Sequence, residues 1–226
     1  MPRVIVFDLM GTLLDLQALD AYFERFFDNA AIRKEWFAQT LQLSMAALLT
    51  NAYEDFGVQT DTALEITARR YKVSMLGEEK NLILGTLRKL RPFPDVSKSL
   101  QRMRDAGLRL AALTNSTAQA VEAQLAHAGL REHFEEVISA DEIHCFKPAP
   151  EVYHLAARRL GVEPGQLRLV SAHDWDVTGA LRAGCAASFV ARPGQVMNPF
   201  GPQPDMKGTD LNEVADQILA IELTRG

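Results

Sequence analysis

The chain's 226 residues suffice for one large domain, or for a core domain carrying a smaller insertion. Apolar residues make up 47% and charged residues 23%, the balance of an ordinary soluble globular protein with enough apolar material for a substantial core. The net charge of −5 is spread without a block of like sign, which argues against a nucleic-acid footprint. No membrane span is expected, because Met1-Pro2-Arg3 runs straight into a short strand. The two cysteines, Cys145 and Cys185, lack CxxC spacing, so a reducing cytoplasm is the expected location.

Arg3 to Phe7 is a continuous β-branched and aromatic run, as in a parallel strand covered on both faces. It stops at Asp8, and Gly11-Thr12 follows as a turn. From Leu19 to about Leu90 apolar residues recur at helical spacing (Trp36, Phe37, Leu41, Ala47, Leu48), which predicts an all-helical insert. Its aromatic cluster, Tyr22, Phe23, Phe26 and Phe27, reads as packing within the insert or against a partner subunit. Pro92 and Pro94 punctuate the return. Predicted helices over 96–106, 118–128, 150–160 and 178–183 then alternate with strands over 110–113, 136–139, 167–170 and 188–190. That alternation predicts βαβ units and a doubly wound parallel α/β sheet. The expected organisation is a core of residues 1–13 plus 93–226 and a helical cap of residues 14–92.

In such a sheet, functional residues gather at the C-terminal strand ends. Polar residues stand at those ends here: Asp8, Thr114-Asn115-Ser116, and Ser171 to Asp176.

Phe7-Asp8-Leu9-Met10-Gly11-Thr12, Leu113-Thr114-Asn115-Ser116, Phe146-Lys147-Pro148 with Tyr153, and Ser171-Ala172-His173-Asp174-Trp175-Asp176 resemble, in order and spacing, the four motifs of the haloacid-dehalogenase (HAD) superfamily. Arg91-Pro-Phe-Pro, His127-Ala-Gly-Leu130 and Trp175-Asp176 are most similar to its L-2-haloacid dehalogenase (type II) branch. The resemblance implies a hydrolase with Asp8 as nucleophile in a Rossmann-like core, a small haloacid as substrate, and a homodimer formed through the cap.

Residue chemistry separates two reactions within that family. A phosphatase needs a general acid two residues after the nucleophile to protonate an alkoxide leaving group. That position is Met10, which carries no transferable proton, and a departing halide needs none. A Mg²⁺ site needs carboxylates, and the fourth-motif position that would supply one is Ala172. No metal and no cofactor are therefore expected. By resemblance, Asp8 displaces halide from carbon and water hydrolyses the resulting ester. Lys147 orients Asp8, while Ser171 and Asp176 position Lys147 and the water. Thr12, Thr114 and Asn115 bind substrate carboxylate or nucleophile, and Tyr153, Trp175 and Phe56 wall a dry pocket.

Two positions depart from the branch. Phe37 stands where the cap arginine that holds halide and carboxylate is expected, with Arg33, Lys34 and Arg192 as replacements to consider. His173 stands where Asn is usual, either as a base toward the hydrolytic water or as a hydrogen-bond donor. Taken singly, Asp8 reads better as a turn or cap residue and Lys147 as a solvated loop lysine, Asp176 also reads as a cap of the helix over 178–183, and Trp175 and Phe56 read equally well as core; the four motifs in register reverse the first two. Two alternatives keep the fold: a Mg²⁺-dependent hydrolase of another small substrate such as a phosphate ester, and a binding or regulatory protein with impaired catalysis.

Overall fold

The computed structural model describes residues 2–225. Strand β1 (Val4–Phe7) is buried along its whole length, with Ile5 and Phe7 in one apolar cluster and Val4 and Val6 in another. This is why its sequence shows no apolar–polar alternation: both faces of the sheet are covered. Four helices follow: α1 (Asp20–Phe27), α2 (Ile32–Leu49), α3 (Phe56–Arg70) and α4 (Gly77–Thr86). The remaining elements alternate as α5 (Val96–Asp105), β2 (Leu110–Thr114), α6 (Ala118–Ala128), β3 (Glu136–Ser139), α7 (Pro150–Leu160), β4 (Leu167–Ser171), α8 (Asp174–Arg182), β5 (Ala186–Val190), β6 (Met206–Gly208) and α9 (Leu211–Glu222).

All strand pairs are parallel, in the order β3-β2-β1-β4-β5-β6. The chain leaves β1 towards β2 and β3, then returns to β1's other side with β4. The carboxyl ends of β1, β2 and β4 therefore surround the point where strand order reverses, the crevice in which open α/β sheets bind ligands.

The segments leading into and out of helices α1–α4 are joined to each other. Leu14 bridges Pro92 in antiparallel fashion, with Asp15 N donating to Arg91 O at 2.9 Å and Phe93 N donating to Leu13 O at 3.0 Å. Trp36, fully buried, packs against Phe23 with ring centroids 5.4 Å apart, and its Nε1 donates to Thr60 O across to α3 at 3.0 Å. Phe23 and Phe27 are thus packing within the helical segment, while Tyr22 and Phe26 are only partly buried.

Two elements differ from the sequence reading. The short strand β6 lies in a stretch with no β-branched run; it is held at the sheet edge by β5 and by Arg168, which reaches Asp205 and Glu222 from β4. Helix α8 begins at Asp174 rather than Thr178, so Trp175 and Asp176 belong to its first turn. Among the described residues, no helix is long and apolar enough to cross a membrane.

Trp36→Ala removes the largest buried side chain of the helical segment and should cost about 3–5 kcal/mol. Urea denaturation of wild type and variant measures it.

Candidate functional site

Asp8 follows β1 directly, and its backbone N–H donates to Val170 O at 3.1 Å, which ties the residue to the end of β4. Gly11, three residues on, has φ +77°, in the region that favours glycine. A Cβ there would lie 3.0 Å from the His173 ring, so glycine lets the imidazole pack onto the turn. The turn brings Thr12 back beneath Asp8. The Thr12 hydroxyl donates to Asp8 Oδ2 at 2.5 Å and accepts from Ala172 N at 2.9 Å.

The other carboxylate oxygen belongs to Lys147. Its Nζ lies 2.6 Å from Asp8 Oδ1, 2.9 Å from Asp176 Oδ2 and 3.2 Å from Leu113 O. An ammonium has three donors, and all three are used. The backbone N–H of Lys147 donates to Asn115 Oδ1 at 2.8 Å, fixing the lysine's loop to the end of β2. Burial alone would push the Asp8 carboxyl up, but the Lys147 ammonium, with help from His173 and the Thr12 hydroxyl, holds it below its ordinary value. Burial would lower Lys147, and the Asp176 and Asp8 carboxylates together hold it above its own ordinary value. Opposite charges stabilise each other's ionised form in a site that water scarcely reaches.

Tyr153 does not line the cavity that contains Asp8. Fully buried behind Asp176, it donates its hydroxyl to Asp176 Oδ1 at 2.7 Å, and burial with the adjacent carboxylate pushes its phenol well above the usual range. Asp176 does not cap its helix either: its side chain is spent on Lys147 and Tyr153. Ser171 does not reach Lys147; its hydroxyl accepts from His173 N at 3.1 Å, shaping the turn into α8. The Thr114 hydroxyl similarly accepts from Ser116 N at 3.1 Å.

His173 Nε2 donates to Met10 O at 2.8 Å and lies 3.6 Å from Asp8 Oδ2. The carbonyl can only accept, so Nε2 carries a proton, and Nδ1 has no protein partner among the described residues. The ring sits between Trp175 (centroids 5.2 Å, stacked) and Phe37 (5.9 Å).

A cavity of about 20 Å³ opens over Asp8, with Lys147, His173, Trp175, Thr114 and Asn115 below and Phe37, Leu41 and Phe56 from α2 and α3 above. It has room for about one water. Sequence reasoning missed Leu41, although it stands one helical turn beyond Phe37, and missed the Leu113 carbonyl, which leaves no trace in side-chain chemistry. Of the three cations weighed as substitutes at Phe37, Arg33 is committed to an ion pair with Asp20. Lys34 and Arg192 line a neighbouring cavity of about 290 Å³ that shares Phe37, Leu41, His173 and Trp175 with the first. Asp174 lies on the wall of that second cavity. Among the described residues, no three His, Cys, Asp or Glu side chains are grouped to hold a metal ion.

Lys147→Met would strand the Asp8 and Asp176 carboxylates and should destabilise the fold by about 3–5 kcal/mol at neutral pH. The deficit should shrink as pH falls and Asp8 takes up a proton, which urea melts at several pH values would record. In the wild type the signs are opposite. Asp8's lowered value keeps its contribution present above 3.8 and loses it only below. Lys147's raised value keeps its contribution present below 10.5. Neither group should produce a limb in a pH profile between those values.

A model of the haloacid dehalogenase-like hydrolase family matches residues 2–184. The chain is 32% identical over 214 residues to an (S)-2-haloacid dehalogenase of Pseudomonas sp. (strain YL), covering 94% of this chain and 92% of that one. Its fold superposes with a TM-score of 0.90 on the L-2-haloacid dehalogenase from Xanthobacter autotrophicus with chloropropionic acid covalently bound, at 27% identity over 98% of this chain and 100% of the other. A HAD phosphatase from Thermococcus onnurineus, at 23% identity and a TM-score of 0.65 over 96% of this chain and 97% of that one, shares the fold alone. A family match over most of the chain, on top of a buried carboxylate–ammonium pair at the sheet's crossover point, makes this chain a member of the haloacid dehalogenase-like hydrolases.

Proposed function

We propose that the chain hydrolyses the carbon–halogen bond of a small 2-haloalkanoic acid, giving the 2-hydroxy acid through an ester on Asp8, without a metal. One observation carries the reading: an ionised, buried Asp8 stands in a cavity whose lining holds no second carboxyl to serve as general acid, with Met10 two residues on and Ala172 hydrogen-bonded through its backbone to Thr12. A carboxylate so placed suits attack on carbon, where the leaving group departs as an anion and needs no proton. The named activity of the Pseudomonas relative and the covalent chloropropionic acid in the Xanthobacter structure support the same class of substrate.

In this scheme an Asp8 oxygen forms a bond to the carbon bearing halogen as the carbon–halogen pair leaves with the halide. Water then attacks the Asp8 carbonyl carbon and gives one proton to His173; the ester C–O bond breaks with the water's second proton passing to the departing oxygen, so the hydroxy acid leaves and the carboxylate is restored. Thr12 and Lys147 hold Asp8 in one orientation through both steps, and Asp176, steadied by Tyr153, holds Lys147. His173 is assigned to the second step: Nε2–H is fixed on Met10 O, and Nδ1 takes the proton of the attacking water. Phe37, Phe56 and Trp175, with Thr114 and Asn115, enclose the reacting carbon and keep bulk water out. Two unpaired thiols, one of them buried, fit a reducing cytoplasmic setting.

Halide release from 2-chloropropionate in the presence of EDTA tests the reading, and Asp8→Asn should abolish it. A single turnover in ¹⁸O-water should place the label in the Asp8 carboxylate; label only in the hydroxy acid would sink the ester scheme. Turnover of p-nitrophenyl phosphate confined to Mg²⁺-containing buffer would replace the substrate class. His173→Asn should slow ester hydrolysis by about 10²–10⁴-fold and let ester accumulate in a burst, with halide release in the first turnover little changed.

A further inference from the structure

Lys147 stands in the loop between β3 and α7, and that loop holds itself only lightly. Ala140–Ile143 makes one short 3₁₀ turn, and His144 follows at φ +49°. The loop's own backbone bonds run from His144 N to Asp141 O at 3.0 Å, Cys145 N to Ala140 O at 3.3 Å and Ala149 N to Phe146 O at 3.0 Å. A further grip comes from the helical segment α1–α4. Tyr53, between α2 and α3, donates its hydroxyl to Asp141 Oδ1 at 2.5 Å, 88 residues further along the chain. Its ring lies 5.1 Å from the His144 ring and stacks on Phe146 at 4.9 Å between centroids. Phe146 is fully buried, directly precedes Lys147 and also meets Phe56 of α3 at 6.2 Å. Burial and the Asp141 carboxylate push the Tyr53 phenol up, so it stays protonated and able to donate. Tyr53 itself does not line the cavity over Asp8.

We propose that Tyr53 is a positioning residue: its hydrogen bond to Asp141 and its stack on Phe146 clamp the Lys147 loop, so that the ammonium is set on Asp8 only when the helical segment is seated. The two halves of the clamp differ in kind. The ring contact is dispersion over an apolar face and tolerates sliding. The phenol–carboxylate bond is directional and charge-assisted, and it fixes one position. The cavity over Asp8, about 20 Å³, has room for a water but not for a haloacid. The roof of Phe37, Leu41 and Phe56 therefore rises for a substrate to enter. Tyr53 lies three residues before Phe56, the first residue of α3, so a roof that rises at Phe56 draws Tyr53 off Asp141. Closing restores the dry roof and the firm seat of Lys147 in one movement. The role in turnover rests on the dehalogenase reading; the mechanical coupling of the two segments does not.

Tyr53→Phe keeps the ring and loses the hydroxyl, Asp141→Ala loses the acceptor, and Asp141→Asn keeps an acceptor oxygen. With 2-chloropropionate, kcat for halide release should fall about tenfold in Tyr53→Phe and in Asp141→Ala, with KM little changed. The double variant should be no slower than either single one, and Asp141→Asn should recover most of the rate. Hydrogen exchange read by mass spectrometry should show the amides of residues 140–149 opening faster in Tyr53→Phe, with those of β1 and β4 unchanged. Wild-type rates in both single variants, losses that multiply in the double variant, or an Asp141→Asn no better than Asp141→Ala would each overturn the positioning role. Unchanged exchange over residues 140–149 would overturn the clamp itself. A wild type that frees no chloride, while Tyr53→Phe still loosens residues 140–149, keeps the clamp and loses the dehalogenase reading instead.

Discussion

An ammonium group out of contact with water must be surrounded by acceptors, and at Lys147 that requirement organises a large part of the molecule. Its acceptors come from the end of β1 (Asp8), the end of β2 (the Leu113 carbonyl) and the first turn of α8 (Asp176). Its own backbone is pinned by Asn115. Each acceptor is in turn anchored: Asp8 by Thr12, which is itself tied to Ala172 at the end of β4, and Asp176 by Tyr153 of α7. Two strand ends, a helix start and an intervening loop thus share one charged centre. Removing the desolvation of those charges would remove the reason for their order.

Around that centre the protein is apolar or aromatic. Helices α2 and α3 lower Phe37, Leu41 and Phe56 onto the carboxylate, and the His173 ring is clasped between Phe37 and Trp175. Such surroundings strengthen the Asp8–Lys147 attraction and make any further charge entering the cavity expensive. The proposed chemistry uses that dryness, because the carbon is attacked where bulk water is kept out.

The parallel sheet was legible because strands buried on both faces appear as uninterrupted apolar runs, and because glycines end the intervening helices. The convergence of Asp8, Asn115, Lys147 and Asp176 was legible for a related reason: strand ends in such a sheet have only one place to meet. What the sequence concealed was direction and depth. Tyr153 looked like a wall and is a prop behind Asp176; Ser171 looked like a partner of Lys147 and bonds to its own turn. Such outcomes depend on which way a side chain leaves its element by a few ångströms, and spacing does not encode that. Strand β6 escaped notice because it owes its place to β5 and to the Arg168 ion pairs rather than to its own residues.

The joined segments at Leu13–Asp15 and Arg91–Phe93 have an architectural consequence. Helices α1–α4 leave and re-enter the sheet region through neighbouring, mutually hydrogen-bonded backbones, so the ends of the whole helical stretch are already closed on each other. The entropy of closing such a loop grows only slowly with its length. Away from Tyr53 and the roof residues, the stretch between those two points can therefore be lengthened or shortened with little disturbance to the charged centre beneath. The molecule carries the roof over its reaction floor between two joined segments, so changes of length in that stretch cost the floor little entropy.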